Sequence, residues 1–479
     1  MSRVPLTDIV KAYDVRGLVG SQLDTDVVRA LGIAFAEVVA TAEGARGIVV
    51  GHDMRDSSPG LAASFADGVA STGLDVTVIG LASTDELYYA SGALGLPGAM
   101  FTASHNPAAY NGIKLCRAGA RPVGQDSGLP AVRDRAQELL DGAGATPAAA
   151  PGRVVDRDLL GDYARFLRDL VDLGDIRPLT VVVDAGNGMA GHTVPAVLGT
   201  AAGLGELPVT VVPLYFELDG TFPNHEANPL EPSNLLDLQA AVPARGADLG
   251  LAFDGDADRC FVVDERGRPV SPSAITALIA EREIAREVAA GAPTESVAVV
   301  HNVISSRQVP ETIRAAGARP VRTRVGHSFI KAEMAAAGAV FGGEHSAHYY
   351  FRDFWFADTG LLAALHVLRA LGEGAAPLSA VMAPYSRYAA SGEINSTVDD
   401  VRAATDLVRQ WGLERDADID ELDGLTLTHE ARPGEPLWWL NLRPSNTEPL
   451  LRLNVEAADD ATMAAVRDEV LGIVRGATP

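Results

Sequence analysis

The chain has 479 residues and a net charge of −24, which argues against nucleic acid or an anionic membrane surface as partner. Its 47% hydrophobic and 21% charged residues are typical of a globular enzyme, and its length predicts three or four domains. No apolar run approaches the ~18 residues of a membrane span, and no signal-peptide core is apparent. The two cysteines have no metal-binding spacing, so we expect a reduced, cytoplasmic setting.

The hydrophobic pattern predicts three successive rounds of strand, loop and helix, which indicates parallel or mixed α/β sheets. Each round ends in a buried strand that runs directly into a polar motif, and ligands of such sheets bind beyond the carboxyl ends of the strands. These final strands are predicted at 98–101, 248–253 and 339–342. Earlier strands are predicted at 46–50, 76–79, 179–183, 209–212 and 297–300, and helices near 61–69 and 309–315.

The C-terminal part has a different pattern. Strands predicted at 437–442 and 450–455 precede a terminal helix at 459–474, which favours a smaller α+β domain. We therefore expect an α/β protein with three similar mixed-sheet α/β domains and a smaller C-terminal α+β domain around a central cleft. The expected boundaries are 1–150, 151–265, 266–377 and 378–479, with an Ala-, Pro- and Gly-rich linker at 142–152.

Ser104 lies in the segment Thr102-Ala103-Ser104-His105-Asn106-Pro107, which follows the first of the final strands. Asn106-Pro107 interrupts regular structure, so the segment is predicted to be a turn that presents the serine hydroxyl. A serine held in this way can attack a phosphorus atom, and His105 can assist it or orient the loop. Asn-Pro turns are common, and the other motifs are what make this serine a candidate nucleophile.

Asp254, Asp256 and Asp258 place three carboxylates within five residues. In extended backbone they would share one side, where carboxylates ~4 Å apart repel by about 4 kcal/mol per pair at an effective dielectric of 20. Such a cluster after a buried strand requires a cation, and its oxygen donors favour Mg²⁺. An EF-hand is excluded because Arg259 stands where that loop needs glycine. A haloacid-dehalogenase nucleophile is excluded because Asp258 stands where threonine or valine is usual.

Two further motifs suit a phosphorylated sugar. Glu344, Ser346 and His348 alternate, so an extended backbone would direct them at sugar hydroxyl groups. The segment Arg443-Pro444-Ser445-Asn446-Thr447 offers a guanidinium, hydroxyl groups and backbone donors to a phosphate. Each of these motifs alone is a common polar turn.

An anionic substrate conflicts with the overall charge unless positive groups are concentrated at the site. Only three of the 39 basic residues are lysines, and one of them, Lys114, follows the polar sequence Asn111-Gly112-Ile113. A compact ammonium at this position suggests an active-site role. Arg16, in Tyr13-Asp14-Val15-Arg16-Gly17, is a weaker candidate because it could form a structural ion pair.

Together these motifs resemble those of the α-D-phosphohexomutase family, in its phosphomannomutase/phosphoglucomutase branch, over nearly the whole chain and in the same order. The resemblance implies a phosphoserine at Ser104, with Arg259 and Lys114 beside the reacting phosphate. It implies Mg²⁺ ligation by Ser104, Asp254, Asp256 and Asp258. It implies substrate contacts from Arg16, His327, Glu344, Ser346, His348, Arg443, Ser445, Asn446 and Thr447.

Three positions of the sequence are relevant to which sugar the protein prefers. Ala347 stands where many relatives have glycine, and His301-Asn302-Val303 stands where some relatives place a basic residue. Asn446 stands where phosphoglucosamine mutases usually have glycine. The last difference favours mannose or glucose over glucosamine.

We therefore expect an isomerase, a phosphomannomutase or dual phosphomannomutase/phosphoglucomutase, that interconverts hexose 1-phosphates and hexose 6-phosphates. Phosphorylated Ser104 would donate its phosphoryl group, a 1,6-bisphosphosugar would turn over within the cleft, and Ser104 would take back the other phosphate. Lys114 or His105 is the candidate general base. The expected cofactors are Mg²⁺ and a hexose 1,6-bisphosphate, and the expected assembly is a monomer or homodimer.

Three alternatives accompany this expectation: a phosphoglucosamine mutase, a metal-dependent sugar phosphatase and a non-enzymatic sugar-phosphate sensor. Four converging loops favour a mutase over a phosphatase, because a bisphosphate must be retained and water excluded. A sensor would have no use for a nucleophile beside a metal-binding loop.

Overall fold

The structure is a computed structural model that describes residues 5–11, 13–146, 148–444 and 450–476. It divides into two compact units, Met1–Pro272 with Ser346–Val381 and Ser273–His345 with Met382–Pro479. None of the helices in these described ranges combines the length and the apolar character that a membrane crossing requires.

The first unit opens with an α/β sheet. Its strands are β1 (Val15–Leu18), β2 (Gly47–His52), β3 (Asp75–Leu81), β4 (Gly98–Phe101), β5 (Tyr110–Arg117), β6 (Arg121–Pro122) and β7 (Val154–Asp156). Its helices are α1 (Thr25–Phe35), α2 (Ser58–Ala70), α3 (Thr84–Leu94) and α4 (Leu129–Leu140). The strand order is β1-β5-β4-β2-β3-β7, in which β4, β2, β3 and β7 are parallel and β5 is antiparallel to its neighbours.

The local sequence explains where two of these helices begin. Asp24 and Ser83 accept the backbone N–H groups of Val27 and Glu86, which would otherwise lack partners in the first helical turn. The buried faces of α1, α2 and α4 then share one apolar core with the sheet. Asp24 caps the start of α1, and Ser83 caps the start of α3. The first turn of α3 lies at the candidate site.

A second mixed sheet follows in the same unit. Its elements are α5 (Leu160–Leu170), β8 (Leu179–Asp184), α6 (Ala190–Val197), β9 (Val209–Leu214), α7 (Leu236–Ala244), β10 (Leu249–Phe253), β11 (Cys260–Asp264) and β12 (Pro269–Val270). The order is β12-β11-β10-β8-β9, with β10, β8 and β9 parallel and β11 antiparallel to its neighbours.

The third round lies in the second unit. It consists of α8 (Pro272–Ala289), β13 (Ala298–Asn302), α9 (Gln308–Ala315), β14 (Arg319–Thr323), α10 (His327–Ala337) and β15 (Phe341–Gly343), and β13 is parallel to both β14 and β15. The chain then contributes β16 (Tyr349–Phe351), β17 (Ala357–Asp358) and α11 (Gly360–Gly372) to the first unit, where β16 and β17 are antiparallel.

The C-terminal segment of the second unit is an antiparallel sheet covered by helices. It follows α12 (Leu378–Met382), of which all but the last residue belongs to the first unit. Its elements are β18 (Ala389–Thr397), α13 (Val401–Leu413), β19 (Asp418–Asp420), β20 (Leu425–His429), β21 (Trp438–Pro444), β22 (Leu450–Ala457) and α14 (Asp460–Gly476). The order is β18-β22-β21-β20-β19, and buried residues of α13 and α14 share a core with the sheet.

The predicted fold class, three α/β domains with mixed sheets followed by an α+β domain, is confirmed. The three final strands are β4, β10 and β15, and each is parallel to a neighbour, so the polar motifs follow the carboxyl ends of the strands. The strand β15 begins later than predicted because the Ala339 N–H still bonds to the Met334 carbonyl at the end of α10. The strand β7, which follows the predicted linker, joins the first sheet beside β3.

Candidate active site

Ser104 lies in a tight, buried turn directly after β4. Its φ is 49°, a left-handed conformation that costs roughly 1–3 kcal/mol in a residue other than glycine. The Asn106 N–H closes the turn on the Ala103 carbonyl at 2.9 Å, and the Ser104 N–H donates to Thr102 Oγ1 at 2.9 Å. The Ser104 hydroxyl donates to Oδ2 of Asp254 at 2.8 Å. This turn, which we call the serine turn, therefore directs Ser104 at Asp254, the first residue of the aspartate motif.

The aspartate motif connects β10 to β11. It is a turn and not the extended segment assumed from the sequence, because Ala257 has a φ of 62° and its N–H bonds to the Asp254 carbonyl at 3.1 Å. The turn nevertheless brings one oxygen of Asp254, Asp256 and Asp258 within 4.8 Å of one another. We call these three residues the aspartate cluster. The strands on both sides agree with the exclusion of an EF-hand, which needs flanking helices.

Gly255 allows the two turns to touch. A Cβ atom at this position would lie 2.3 Å from the carbonyl oxygen of Ser104, closer than any side-chain atom can approach. The glycine in the motif is therefore required for the contact between the serine turn and the aspartate cluster.

Two cations face the aspartate cluster. Lys114 Nζ lies 2.6 Å from Asp256 Oδ2 and 2.5 Å from Asp258 Oδ2. Arg259, which is buried, lies 2.7 Å from Asp254 Oδ2 through its Nη2. The repulsion expected from the sequence is thus largely compensated by side chains of the protein itself.

The pKa values in the cluster reflect burial and these two cations. Burial raises the pKa of Asp254 to about 7, even beside Arg259. Burial would also raise the pKa of Asp256, but the Lys114 ammonium and the hydrogen bonds to Asp256 together outweigh it, and the pKa is lowered. Burial would lower the pKa of Lys114, but Asp256 and Asp258 outweigh it, and the pKa rises well above its usual value. The cluster therefore holds Lys114 in its charged form.

The donor atoms of the cluster fit a divalent metal ion. Within the described ranges, Oδ1 of Asp256 and Oδ1 of Asp258 are buried without a hydrogen-bond partner, although buried polar atoms are nearly always paired. When all three aspartates are ionised, the two cations leave one negative charge uncompensated. Hard oxygen donors with unpaired lone pairs are the ligands that Mg²⁺ prefers. The group Asp258, His348 and Asp358 also has ligand atoms within 4.8 Å, but it includes a nitrogen donor.

His105 stands beside the serine with its Nδ1 already engaged. Arg259 Nη2 donates to this nitrogen at 2.7 Å, and Ser104 Oγ lies 3.3 Å from it. Burial, followed by the charges of Arg259 and Arg16, lowers the pKa of His105 to about 3. This environment argues against His105 as a proton acceptor at neutral pH.

Arg16 forms a hydrogen bond with the serine turn. Its Nη1 donates to the side-chain oxygen of Asn106, and its Nη2 forms an ion pair with Asp14. The structural ion pair considered from the sequence is therefore present, together with a contact to the serine turn.

Ser346 and His348 do not form the extended comb assumed from the sequence. Ala347 between them has a φ of 65°, which turns the backbone, and Ser346 Oγ lies 3.0 Å from His348 Nδ1. His348 Nε2 lies 3.7 Å from Asp258 Oδ1, so the imidazole reaches the aspartate cluster. Glycine adopts a left-handed φ most readily, which accounts for the glycine expected at the position of Ala347.

Thr84 is a part of the site that the sequence did not indicate. Its hydroxyl donates to Asp256 Oδ2 at 2.5 Å, and its N–H donates to the Asp256 carbonyl at 3.0 Å. Thr84 is the first residue of α3, and the positive end of a helix dipole favours a nearby carboxylate. The capping-box pattern of Ser83 and Glu86 could have located this helix start, but no local signal connects it with Asp256.

Among the described residues, three of those predicted to contact the substrate lie in the second unit. Glu344 follows β15 and accepts a hydrogen bond from Asn302 Nδ2, at the end of β13, at 3.1 Å. His327 is the first residue of α10. Arg443, near the end of β21, has Nη2 3.4 Å from Glu393 and Nη1 3.9 Å from Asp423. Ser445, Asn446 and Thr447 lie outside the described residues.

The hydrogen bond between Asn302 and Glu344 lies at the segment where some relatives have a basic residue and this chain has none. Where some relatives have a basic residue, this chain places the Asn302 amide against the carboxylate of Glu344. The adjacent His301 is buried, and burial lowers its pKa to about 4, so it adds no positive charge at neutral pH.

Comparison with known proteins gives the family. Four consecutive segments match the models of phosphoglucomutase/phosphomannomutase alpha/beta/alpha domains I, II and III and the C-terminal domain, at residues 7–139, 162–267, 271–388 and 393–473. The chain is 38% identical over 469 residues to the phosphohexose mutases of Xanthomonas campestris pv. campestris, covering 97% of this chain and 99% of that protein. It is 37% identical over 469 residues to a phosphomannomutase of Escherichia coli, covering 97% and 98% of the two chains.

A solved structure agrees with these matches. The phosphoglucomutase/phosphomannomutase family protein of Burkholderia thailandensis has a TM-score of 0.83 and 30% sequence identity to this chain, and the match covers 98% of each. The chain therefore belongs to the phosphoglucomutase/phosphomannomutase family, within the α-D-phosphohexomutases. These enzymes are isomerases that act as phosphotransferases, so the expectation of an enzyme is confirmed and the sensor alternative is excluded.

Proposed function

We propose that this chain is a phosphomannomutase, with activity toward glucose as well, that interconverts hexose 1-phosphates and hexose 6-phosphates. The observation that carries the proposal is the buried Ser104 hydroxyl, which donates to Asp254 inside a cluster of three aspartates faced by Lys114 and Arg259. This arrangement offers a nucleophile, a metal site and two fixed cations within one small volume. Those are the parts that a phosphoryl transfer requires.

In the proposed reaction, the bond between Ser104 Oγ and phosphorus breaks as the free hydroxyl of the sugar bonds to phosphorus, and the proton of that hydroxyl ends on Ser104 Oγ. Ser104 later accepts the other phosphate from the hexose 1,6-bisphosphate, and its proton ends on the sugar oxygen that is released. Asp254, Asp256, Asp258 and Ser104 would hold Mg²⁺, which supplies positive charge to the transferring group when bound. Lys114 and Arg259 add two cations that need no rearrangement during the reaction.

The environment of the two candidate bases changes their proposed roles. His105 has a pKa of about 3 and shares its Nδ1 with Arg259, so we assign it to orienting that arginine. Lys114 is held as an ammonium by Asp256 and Asp258, so we assign it to electrostatic stabilisation. Neither assignment requires the side chain to lose or gain a proton before the reaction.

The remaining residues are proposed to bind the substrate. Glu344, Ser346 and His348 would contact sugar hydroxyl groups, since they offer carboxylate, hydroxyl and imidazole groups. Phosphate and further contacts would come from Arg16, His327, Arg443, Ser445, Asn446 and Thr447. We retain the division into four domains at 1–150, 151–265, 266–377 and 378–479 as part of this proposal, together with a cytoplasmic monomer or homodimer.

The preferred sugar is the most specific part of the proposal. The E. coli relative is named for mannose, and Asn446 stands where phosphoglucosamine mutases usually have glycine. We therefore rank mannose first, glucose second and glucosamine last.

The experiment is a coupled assay of hexose 6-phosphate formation from mannose, glucose and glucosamine 1-phosphates, with release of inorganic phosphate measured in parallel. We expect the highest kcat/KM with mannose 1-phosphate and only trace phosphate release. A preference for glucosamine 1-phosphate would replace the proposal by the glucosamine alternative. Stoichiometric release of inorganic phosphate would replace it by the phosphatase.

A further inference from the structure

Arg55 is a buried arginine that binds the backbone of the serine turn. Its Nη2 donates to the carbonyl oxygens of Ser104 at 2.9 Å and Asn106 at 2.7 Å. Its Nη1 donates to those of Pro107 and Tyr110, both at 3.0 Å. The arginine itself is buried, with 2% of its surface exposed, and its hydrogen bond to Ser104 is buried as well. One side chain thus holds four carbonyl groups of the segment that carries the candidate nucleophile.

Arg55 is itself held in place by its surroundings. Its Nε lies 3.2 Å from Asp53 Oδ2, and its backbone N–H donates to Asp53 Oδ1 at 3.0 Å. The guanidinium also lies 5.2 Å from the ring centre of Phe222. A Cβ at Gly220 would lie 2.8 Å from Arg55 Cα, so the segment before Phe222 packs closely on the arginine. The guanidinium is therefore fixed before any substrate arrives.

The serine turn needs such a support because its backbone is strained. Ser104 has a φ of 49°, and such conformations persist only where surrounding contacts determine them fully. The carbonyl side of the turn faces Arg55, while the Ser104 hydroxyl faces Asp254 at 2.8 Å. If the carbonyl groups were released, the turn could relax, and the hydroxyl would move away from the aspartate cluster.

We propose that Arg55 is a positioning residue for catalysis, which holds the strained turn so that Ser104 Oγ is directed at the aspartate cluster. The inference rests on the proposed role of Ser104 as the nucleophile. The Arg55 guanidinium binds carbonyl oxygens and not the Ser104 hydroxyl. Its proposed action is therefore through the backbone of the turn. The geometry requires a guanidinium, since a planar fork reaches two pairs of carbonyl groups at once, whereas an ammonium presents its donors from a single point.

The variants Arg55→Lys and Arg55→Met test the inference. Misplacement of a reacting group by about 1 Å can lower the rate by roughly 10²-fold. We therefore expect kcat to fall by about that factor in both variants, while the KM for mannose 1-phosphate stays within about twofold of wild type. Phosphoryl transfer from glucose 1,6-bisphosphate to dephosphorylated enzyme, followed by intact mass, should slow by the same factor.

Arg168 offers a matched control in the same unit. It also donates to three backbone carbonyl groups, those of Val197 at 2.8 Å, Gly205 at 2.6 Å and Gly199. These groups lie at the end of α6 and in the loop that follows it, where there is no candidate site residue. Arg168→Lys and Arg168→Met should lower the melting temperature and leave kcat unchanged. This control separates loss of stability from loss of positioning.

The outcomes are distinguishable. A wild-type kcat in Arg55→Lys and Arg55→Met, or a loss no greater than in the Arg168 variants, would overturn the inference. If neither Arg55 variant folds, Phe222→Leu decides, since a lowered kcat at unchanged KM supports the inference and a wild-type kcat overturns it. If Ser104→Ala is active and wild-type enzyme accepts no phosphate, the proposed function fails instead.

Discussion

Two groups of buried carboxylates lie close to the start of α3, and they are stabilised in different ways. The aspartate cluster faces two cations, Lys114 and Arg259. Asp85, which is also fully buried, faces hydroxyl groups. It accepts hydrogen bonds from Ser83 Oγ, from Tyr163 at 2.6 Å and from Thr359 at 2.7 Å.

Asp256 of the aspartate cluster and Asp85 therefore differ in pKa at the same depth. Burial raises the pKa of Asp85 to about 6, and burial together with Asp85 raises the pKa of Glu86 well above its usual value. The pKa of Asp256, in contrast, is lowered, because Lys114 and the hydrogen bonds to Asp256 together outweigh the effect of burial. At equal depth, the partners of a buried carboxylate set the direction in which its pKa shifts.

Removal of the Ser104 hydroxyl should have the largest effect. Ser104→Ala should lower turnover by about 10³-fold or more, because no other group takes the place of a lost nucleophile. The melting temperature should change little, since a turn hydroxyl contributes little to the core. The measurement is the coupled assay together with thermal unfolding. Full activity in this variant would remove the serine from the mechanism.

A matched pair of substitutions tests the comparison directly. Asp256→Asn should weaken Mg²⁺ binding and lower turnover by roughly 10²-fold, whereas Asp85→Asn should retain most of the activity. Repulsion alone would predict that Asp256→Asn stabilises the metal-free protein. The contact with Lys114 predicts the opposite, a loss of up to about 3 kcal/mol in the free energy of unfolding. Calorimetric titration with Mg²⁺ and urea unfolding in EDTA measure the two effects.

Thr84 connects the two groups, and its substitution should have an intermediate effect. Thr84→Val removes the hydroxyl that donates to Asp256 and should weaken Mg²⁺ binding by roughly 10-fold, as expected for a residue that orients a metal ligand. Thr84→Ser keeps the hydroxyl and should restore the affinity. Equal Mg²⁺ affinity in both variants would exclude this role for the hydroxyl.

The last effect arises from Asp85 and concerns stability, with little expected change in activity. Its pKa is raised from 3.8 to about 6 on folding, so its contribution to stability is complete below about pH 4 and is lost as the pH rises to about 6. The loss amounts to about 2–3 kcal/mol. Asp85→Asn should remove this part of the pH dependence, as measured by urea unfolding between pH 4 and 7. If the free energy of unfolding of Asp85→Asn differed between pH 4 and pH 7 by the same amount as that of wild type, Asp85 would be ionised in the folded protein at both pH values.

Much of the fold was predictable because buried strands leave a clear pattern. The strand β4 was predicted with its observed bounds, and β10 and the final helix were placed within a residue or two. The motifs also identified the residues of the aspartate cluster, because three adjacent carboxylates need a cation wherever the chain places them.

Other features could not be predicted because they depend on contacts between distant residues. The left-handed φ of Ser104, Ala257 and Ala347 follows from tertiary packing, so the extended geometry assumed for two motifs was wrong. Lys114 was identified as a candidate because lysine is rare in this chain. Its ion pairs with Asp256 and Asp258 could not be predicted, because they join residues that are separated by 142 and 144 positions in the sequence. Thr84 and Arg55 act through contacts of the same kind, and their local sequences suggest only a helix start.

The central claim is that Ser104 carries the phosphoryl group, and mapping the phosphate tests it most directly. Dephosphorylated protein is incubated with glucose 1,6-bisphosphate and then analysed by intact mass and peptide mapping, with Ser104→Ala beside it. We predict one phosphate per wild-type chain, located on Ser104 and removed again by hexose phosphate, and none on the variant. Phosphate on another residue, or a fully active enzyme that never carries phosphate on Ser104, would contradict the account.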